Sequence, residues 1–203
     1  MRHERTKKII TDALRYMKVP PDSQPEEFIE LVKNTFEKLE TFINPRCVFG
    51  RFFIKKFPDG VIEIEGAKIF SKDITRLTSR SDECYLLAAT LGYEVDRQIL
   101  IAGQKNMLDG LALDACASVR IDEFIDEFTE KEIKPTLNDK EFLTSRFSPG
   151  YGDLKMNFTE DIIAILNATK RIGLSVTNSL MMTPVKSVTA IIGLYNEKLG
   201  IRN

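Results

Sequence analysis

The sequence predicts an α+β fold in which helices and a mixed sheet share one chain, and three observations lead there. Apolar residues recur at helical spacing over roughly the first 45 residues and again from about Glu94 to Lys134. The stretch from Val48 to Glu65 is aromatic, β-branched and alternating, with a turn at Pro58-Asp59-Gly60. Cys84 to Leu91 is an unbroken apolar run. Strands and helices therefore mix without the strict βαβα order of a doubly wound sheet. No repeat, low-complexity segment or Gly/Ser-rich linker divides the chain, so residues 1–44 read as a helical extension and 45–203 as one domain.

Ile9, Ile10, Ala13, Leu14 and Met17 share a helical face, and Pro20-Pro21 stops that helix. Ser23 and Glu26 have the spacing of a capping box for a second helix, with Pro25 in its first turn and a stripe of Phe28, Leu31, Val32, Phe36 and Leu39. The hairpin from Val48 to Glu65 follows, then a short helix beginning at Ser71. The run ending at Gly92 reads as a central strand covered on both faces, or as a buried helix. Gly103 is expected to divide the next helical stretch into one helix with Val95, Ile99 and Leu100 and a longer one with Leu108 to Phe124. A loop spans Arg146 to Asp153, and a helix runs from about Thr159 to Ala168, closed by Gly173. Leu174 to Met181 and Ser187 to Tyr195 read as strands joined by a turn at Thr183-Pro184-Val185-Lys186.

A chain of 203 residues can bury about 70% of its unfolded surface without disulfides or metal. With 29 Lys+Arg against 30 Asp+Glu, the net charge of −1 disfavours a general nucleic-acid binder. The basic start, Met1 to Lys8, is followed by only Ile9 and Ile10 before Thr11, and no apolar stretch reaches the length of a membrane span. Neither export nor membrane insertion is expected. Cys47, Cys84 and Cys116 are odd in number and widely spaced, which fits free thiols in a reducing cytoplasm. A single histidine, His3, excludes chemistry built on a positioned imidazole, and no phosphate-cradling GxxxxGK[ST] or GxGxxG loop occurs.

Three constellations remain. Arg146-Phe147-Ser148-Pro149-Gly150-Tyr151-Gly152-Asp153 has the parts of a ligand loop: glycines that admit close backbone approach, a stiffening proline, and an arginine suited to a carboxylate. The same residues also make an ordinary turn in which Tyr151 is a packing anchor and Asp153 a helix cap. Lys186 beside Ser187 has the residue types of a phosphate contact but no glycine cradle, and otherwise reads as a solvated lysine at a hairpin tip. Glu94 and Asp96 sit where a strand passes into a helix; they would repel phosphate and suit the helix dipole.

Together, RFSPGYGDL (146–154), SLMMTPVKSVTAIIGL (179–194) and LLAATLGYEVD (86–96) make the sequence resemble the reactivation domain of cobalamin-dependent methionine synthase, and more closely its free-standing members. The resemblance runs from about Cys47 to Leu194. It implies a mixed α/β fold around a twisted, largely antiparallel sheet with flanking helices. It also implies a domain that binds S-adenosylmethionine and presents its methyl group to oxidised cobalamin on a partner, while a flavodoxin-like reductase supplies the electron. R-x-x-x-G-Y matches Arg146, Gly150 and Tyr151. By resemblance Arg146 holds the methionine carboxylate, Ser148 and Gly150 meet the ligand by main chain, and Tyr151 flanks the sulfonium or faces the corrin. Asp153 is assigned to the ligand's amine on residue chemistry alone, because the family continues with prolines where this chain has Gly152-Asp153-Leu154. The chain lacks a cobalamin-binding D-x-H-x-x-G signature, so cobalamin is expected on a partner, a methionine synthase subunit lacking this domain. No catalytic residue or metal ligand is assigned. The alternatives are reactivation of another corrinoid methyltransferase and a non-catalytic S-adenosylmethionine-binding regulator.

Overall fold

The computed structural model describes residues 2–196, with side chains from residue 4 onward, so the His3 side chain lies outside the described residues. Its elements in chain order are α1 (Arg2–Tyr16), α2 (Glu26–Leu39), β1 (Arg46–Phe53), β2 (Lys55–Lys56), β3 (Ile62–Ile64), β4 (Ala67–Ile69), α3 (Lys72–Leu77) and β5 (Glu83–Thr90). Then come α4 (Tyr93–Lys105), α5 (Met107–Phe128), β6 (Glu141–Leu143), α6 (Phe158–Ile165), α7 (Ala168–Ile172), β7 (Ser175–Val176), β8 (Met182–Thr183) and β9 (Ser187–Asn196). Two compact units emerge. Of the described residues, one holds those up to Arg46 with Thr90–Asp126 and Pro184–Ser187; the other holds Cys47–Ala89, Glu127–Thr183 and 188–196. Among the described residues no helix is long and apolar enough to cross a membrane.

The first unit is helical. Ala13, Leu14 and Met17 of the expected α1 stripe are buried, as are Val32 and Leu39 of α2. The capping box does not form: Pro25 is the N-cap and no side chain caps α2. The proline itself is the reason, because it pushes Gln24 out of helical conformation and so excludes a start at Ser23. Salt bridges tie α5 to α1 and to the end of α2, Arg5 Nε to Glu123 Oε1 at 3.0 Å and Arg120 Nε to Glu40 Oε1 at 2.5 Å. The break between α4 and α5 falls at Asn106 and not at Gly103. Asn106 is extended, and its Oδ1 accepts the Leu108 N–H at 3.0 Å, the N-cap arrangement that opens α5. Gly103 stays helical and serves packing instead: a Cβ on Gly110 would lie 2.6 Å from the Gly103 Cα, so α4 and α5 approach backbone to backbone.

The second unit carries the sheets. A four-stranded sheet has the order β1-β5-β9-β6, with β6 antiparallel to β9 in the register Glu141↔Asn196. β5 is buried at every residue from Cys84 to Thr90, as its unbroken apolar run predicts. The expected hairpin exists, but its first arm is only β2, which pairs antiparallel with β3; β4 completes that small sheet. The longer β1 joins the main sheet, and the Ile54 N–H donates to the Asp82 carbonyl where the chain changes sheets. Asn167, at φ 51°, splits the helix expected from Thr159 to Ala168 into α6 and α7, a left-handed conformation that asparagine tolerates. β7 folds back on β8 rather than running on as a strand, so 183–186 is not the tip of a hairpin made with β9. Leu86, Ile74, Ile162 and Leu174 lie at the centre of this unit's core. Across the sheet, Arg51 bonds Glu83 at 2.5 Å and Glu141 at 2.7 Å. The Asn138 N–H first, and Arg51 second, hold the Glu141 carboxyl below its usual range.

Burial pushes the Cys47, Cys84 and Cys116 thiols up to about 12. Thiolate is the reactive form, so all three are expected to resist a thiol reagent at pH 8 in the folded protein and to react together after denaturation in urea. Rapid labelling of any of them in the native state would contradict this burial.

Candidate functional site

The segment from Arg146 to Asp153 is a tightly constrained loop, and each constraint traces to a residue. At its entry Phe147 and Ile191 exchange two backbone hydrogen bonds, at 3.0 and 2.9 Å, which fasten the loop to β9. Pro149 is buried. The loop then closes on itself: the Tyr151 N–H donates to Ser148 at 3.2 Å, and Gly150 and Leu154 are joined by a 2.8 Å bond from the glycine N–H. Gly150 at φ 91° and Gly152 at φ 52° occupy the left-handed region, and a Cβ at Gly152 would strike Asp73. Both glycines are therefore required by the turn itself.

At the exit, Asp153 is committed to α3. Its carboxylate accepts from the Ser71 hydroxyl, from the Lys72 N–H at 2.7 Å and from the Asp73 N–H at 3.2 Å. Ser71 in turn caps α3 by accepting the Ile74 N–H at 3.1 Å. The Ser71 hydroxyl, then the Lys72 N–H, hold the Asp153 carboxyl below the usual carboxylate range. Asp153 thus caps a helix 80 residues earlier in the chain, through the |i−j| = 80 bond to Asp73. Its two oxygens accept three hydrogen bonds from the start of α3, so that helix sets the carboxylate's position. Sequence reasoning placed the start of α3 at Ser71 but missed that Ser71 and Asp73 hold this loop. Nothing local signals a contact of that span.

The remaining residues of the loop differ in exposure. Tyr151 is 70% exposed at the tip, an aromatic face held outward by a closed turn. Arg146 and Ser148 are half-buried, and Gly150 is exposed. The N–H groups of Gly150 and Tyr151 are used inside the loop, so a ligand would meet that stretch through carbonyls. The arrangement offers one guanidinium, exposed main chain and one aromatic ring, a set that fits a zwitterion carrying a soft cationic centre.

The other two constellations fall in the first unit. Lys186 is 9% exposed, not solvated, with Nζ 2.8 Å from Asp114 Oδ1 and 2.9 Å from Ser118 Oγ. Glu94 pairs with Arg97 at 2.9 Å, and Asp96 accepts the Val185 N–H at 2.7 Å.

Residues 108–198 match the family described as the vitamin B12 dependent methionine synthase activation domain. The match holds the whole loop, Lys186 and Asp114, but neither Ser71 nor the 86–96 motif. No curated protein matches the chain. Among solved structures, the MetH reactivation domain bound to AdoHcy is similar over 87% of this chain and 68% of that one, with a TM-score of 0.63 and 19% identity. The mixed α/β fold is therefore that of the reactivation domain. Residues 108–198 are thus similar in sequence to the activation domain of vitamin B12-dependent methionine synthase, and most of the chain shares the fold of the MetH reactivation domain.

Proposed function

We propose that this protein binds S-adenosylmethionine at the Arg146–Asp153 loop and supports reactivation of cobalamin carried by a partner corrinoid domain of a methionine synthase. The observation that carries the reading is the R-x-x-x-G-Y loop, locked by Phe147 at one end and Asp153 at the other, with Tyr151 presented at its tip. The MetH reactivation domain, which shares this fold, is described as bound to AdoHcy. Arg146 holds the ligand's carboxylate by a two-pronged hydrogen bond. The main chain at Ser148 and Gly150 receives its polar groups, and the Tyr151 ring faces its sulfonium. The bound cofactor supplies an activated methyl group, and the protein contributes its position, so no general acid or base is required. Three free cysteines fit a protein that works in the reducing cytoplasm. A flavodoxin-like reductant would supply the electron.

Calorimetric titration with S-adenosylmethionine and S-adenosylhomocysteine tests the reading. Wild type is expected to bind both, and Arg146→Ala to weaken both by roughly 100-fold, the worth of a lost charge-assisted pair. Unchanged binding in Arg146→Ala would remove the loop from the site. Methyl transfer to reduced cobalamin on an added corrinoid partner separates reactivation from mere sensing.

A further inference from the structure

We propose a second binding site in the second unit, in the cleft between α3 and residues 143–147, for a phosphate ester that carries a flat ring. The cleft has a volume of about 640 Å³ and is lined by Asp73, Arg76 and Arg80 on one side and by Ser145, Phe147 and Tyr195 on the other. It borders the Arg146–Asp153 loop through Asp73 without including Arg146. Ser145 and Phe147 line it and Arg146 does not, as expected where the chain is extended and bridged to Ile191, so that successive side chains alternate in direction.

Charge selects the ligand. Two guanidinium groups face one carboxylate, and that carboxylate is already divided: Asp73 takes Arg76 at 3.2 Å on Oδ1 and the Asp153 N–H at 3.3 Å on Oδ2. Outside the lining, Lys56 donates to the Ser79 carbonyl at 3.1 Å and lies 3.7 Å from Asp82, so the two offset each other. The cleft keeps a net positive charge.

Geometry sharpens the choice. The Arg80 guanidinium stands 5.0 Å over the Tyr195 ring, and that ring is stacked on Phe142 at 5.9 Å. A guanidinium resting over an aromatic ladder gives up part of its rotamer freedom before any ligand arrives. Two such cations with the Ser79 and Ser145 hydroxyls offer more donors than a carboxylate accepts and suit the three oxygens of a phosphate. Phe147 supplies a surface for a ring. Asp73 joins this cleft to the Arg146–Asp153 loop, so an anion competing for Arg76 would be sensed there.

The site stands independently of the proposed function and is tested on the full chain with phenyl phosphate, inorganic phosphate, phenol and benzoate as probes, in the presence of saturating S-adenosylhomocysteine. Phenyl phosphate is expected to bind by calorimetry, inorganic phosphate to bind more weakly, and phenol not at all. Arg80→Gln and Arg76→Gln should each weaken phenyl phosphate about tenfold, the loss of one charged hydrogen-bonding partner. Both side chains are exposed, so matched thermal melts are expected to show these variants folded. Arg146→Ala should leave phenyl phosphate binding unchanged. The proposal is overturned if phenyl phosphate fails to bind, if Arg80→Gln leaves its affinity intact, or if Arg146→Ala abolishes it. Benzoate binding as tightly as phenyl phosphate would overturn the choice of phosphate.

Discussion

Gly110→Val is expected to destabilise the protein by about 3 kcal/mol, the upper end of what overpacking costs where the obstacle is backbone and cannot swing aside. The added Cβ would meet the Gly103 Cα at 2.6 Å and its N at 2.8 Å, so α4 and α5 would have to move apart. In thermal melts this lowers Tm by roughly 10 °C. The neighbouring Gly103→Ala is the control. Its Cβ would meet nothing within 4 Å, and replacing a glycine inside α4 should raise stability by about 0.5–1 kcal/mol. Two glycines at one helix contact thus respond with opposite signs. Similar melts for Gly110→Val and wild type would mean that the helices do not approach as described.

Asp153→Ala is expected to release the R-x-x-x-G-Y loop from α3. The Lys72 and Asp73 N–H groups and the Ser71 hydroxyl lose their acceptor together. Hydrogen exchange at Lys72 and Asp73 should rise. Binding of S-adenosylhomocysteine should weaken roughly tenfold, because the ligand must then order a loop that Asp153 pre-orders in wild type. Asp153→Asn keeps one acceptor oxygen and should fall between. Acid does the same work as the mutation: Asp153 titrates below the ordinary carboxylate range, so its stabilisation is complete above that range and is lost as pH falls through the folded-state value. Exchange at Lys72 and Asp73 measured down the pH scale should therefore approach that of Asp153→Ala. Exchange in Asp153→Ala that matches wild type at neutral pH would sink the latch.

Much of the fold was legible because local chemistry and final structure agree. The stripes of α1 and α2, the cap at Ser71, the unbroken apolar run of β5 and the glycine closing α7 all report on neighbours a few residues away. Errors arose where one residue type can do two jobs. Gly103 reads as a helix breaker but is a packing contact, and Asn106 ends the helix. Ser23 reads as a cap, yet Pro25 denies it the conformation a cap needs. Lys186 reads as solvated because nothing nearby in sequence reveals Asp114 and Ser118, which bury it.

The candidate site divides along the same line. The sequence by itself sets the residues proposed to meet a zwitterionic sulfonium, Arg146, Ser148, Gly150 and Tyr151, within six consecutive positions, and the glycines announce the turn. What holds that turn in shape was decided only in three dimensions, by Phe147 on β9 and by Asp153 on the start of α3. Residue type determines which bonds a side chain can make, but which of them forms depends on partners that chain folding brings from 80 residues away.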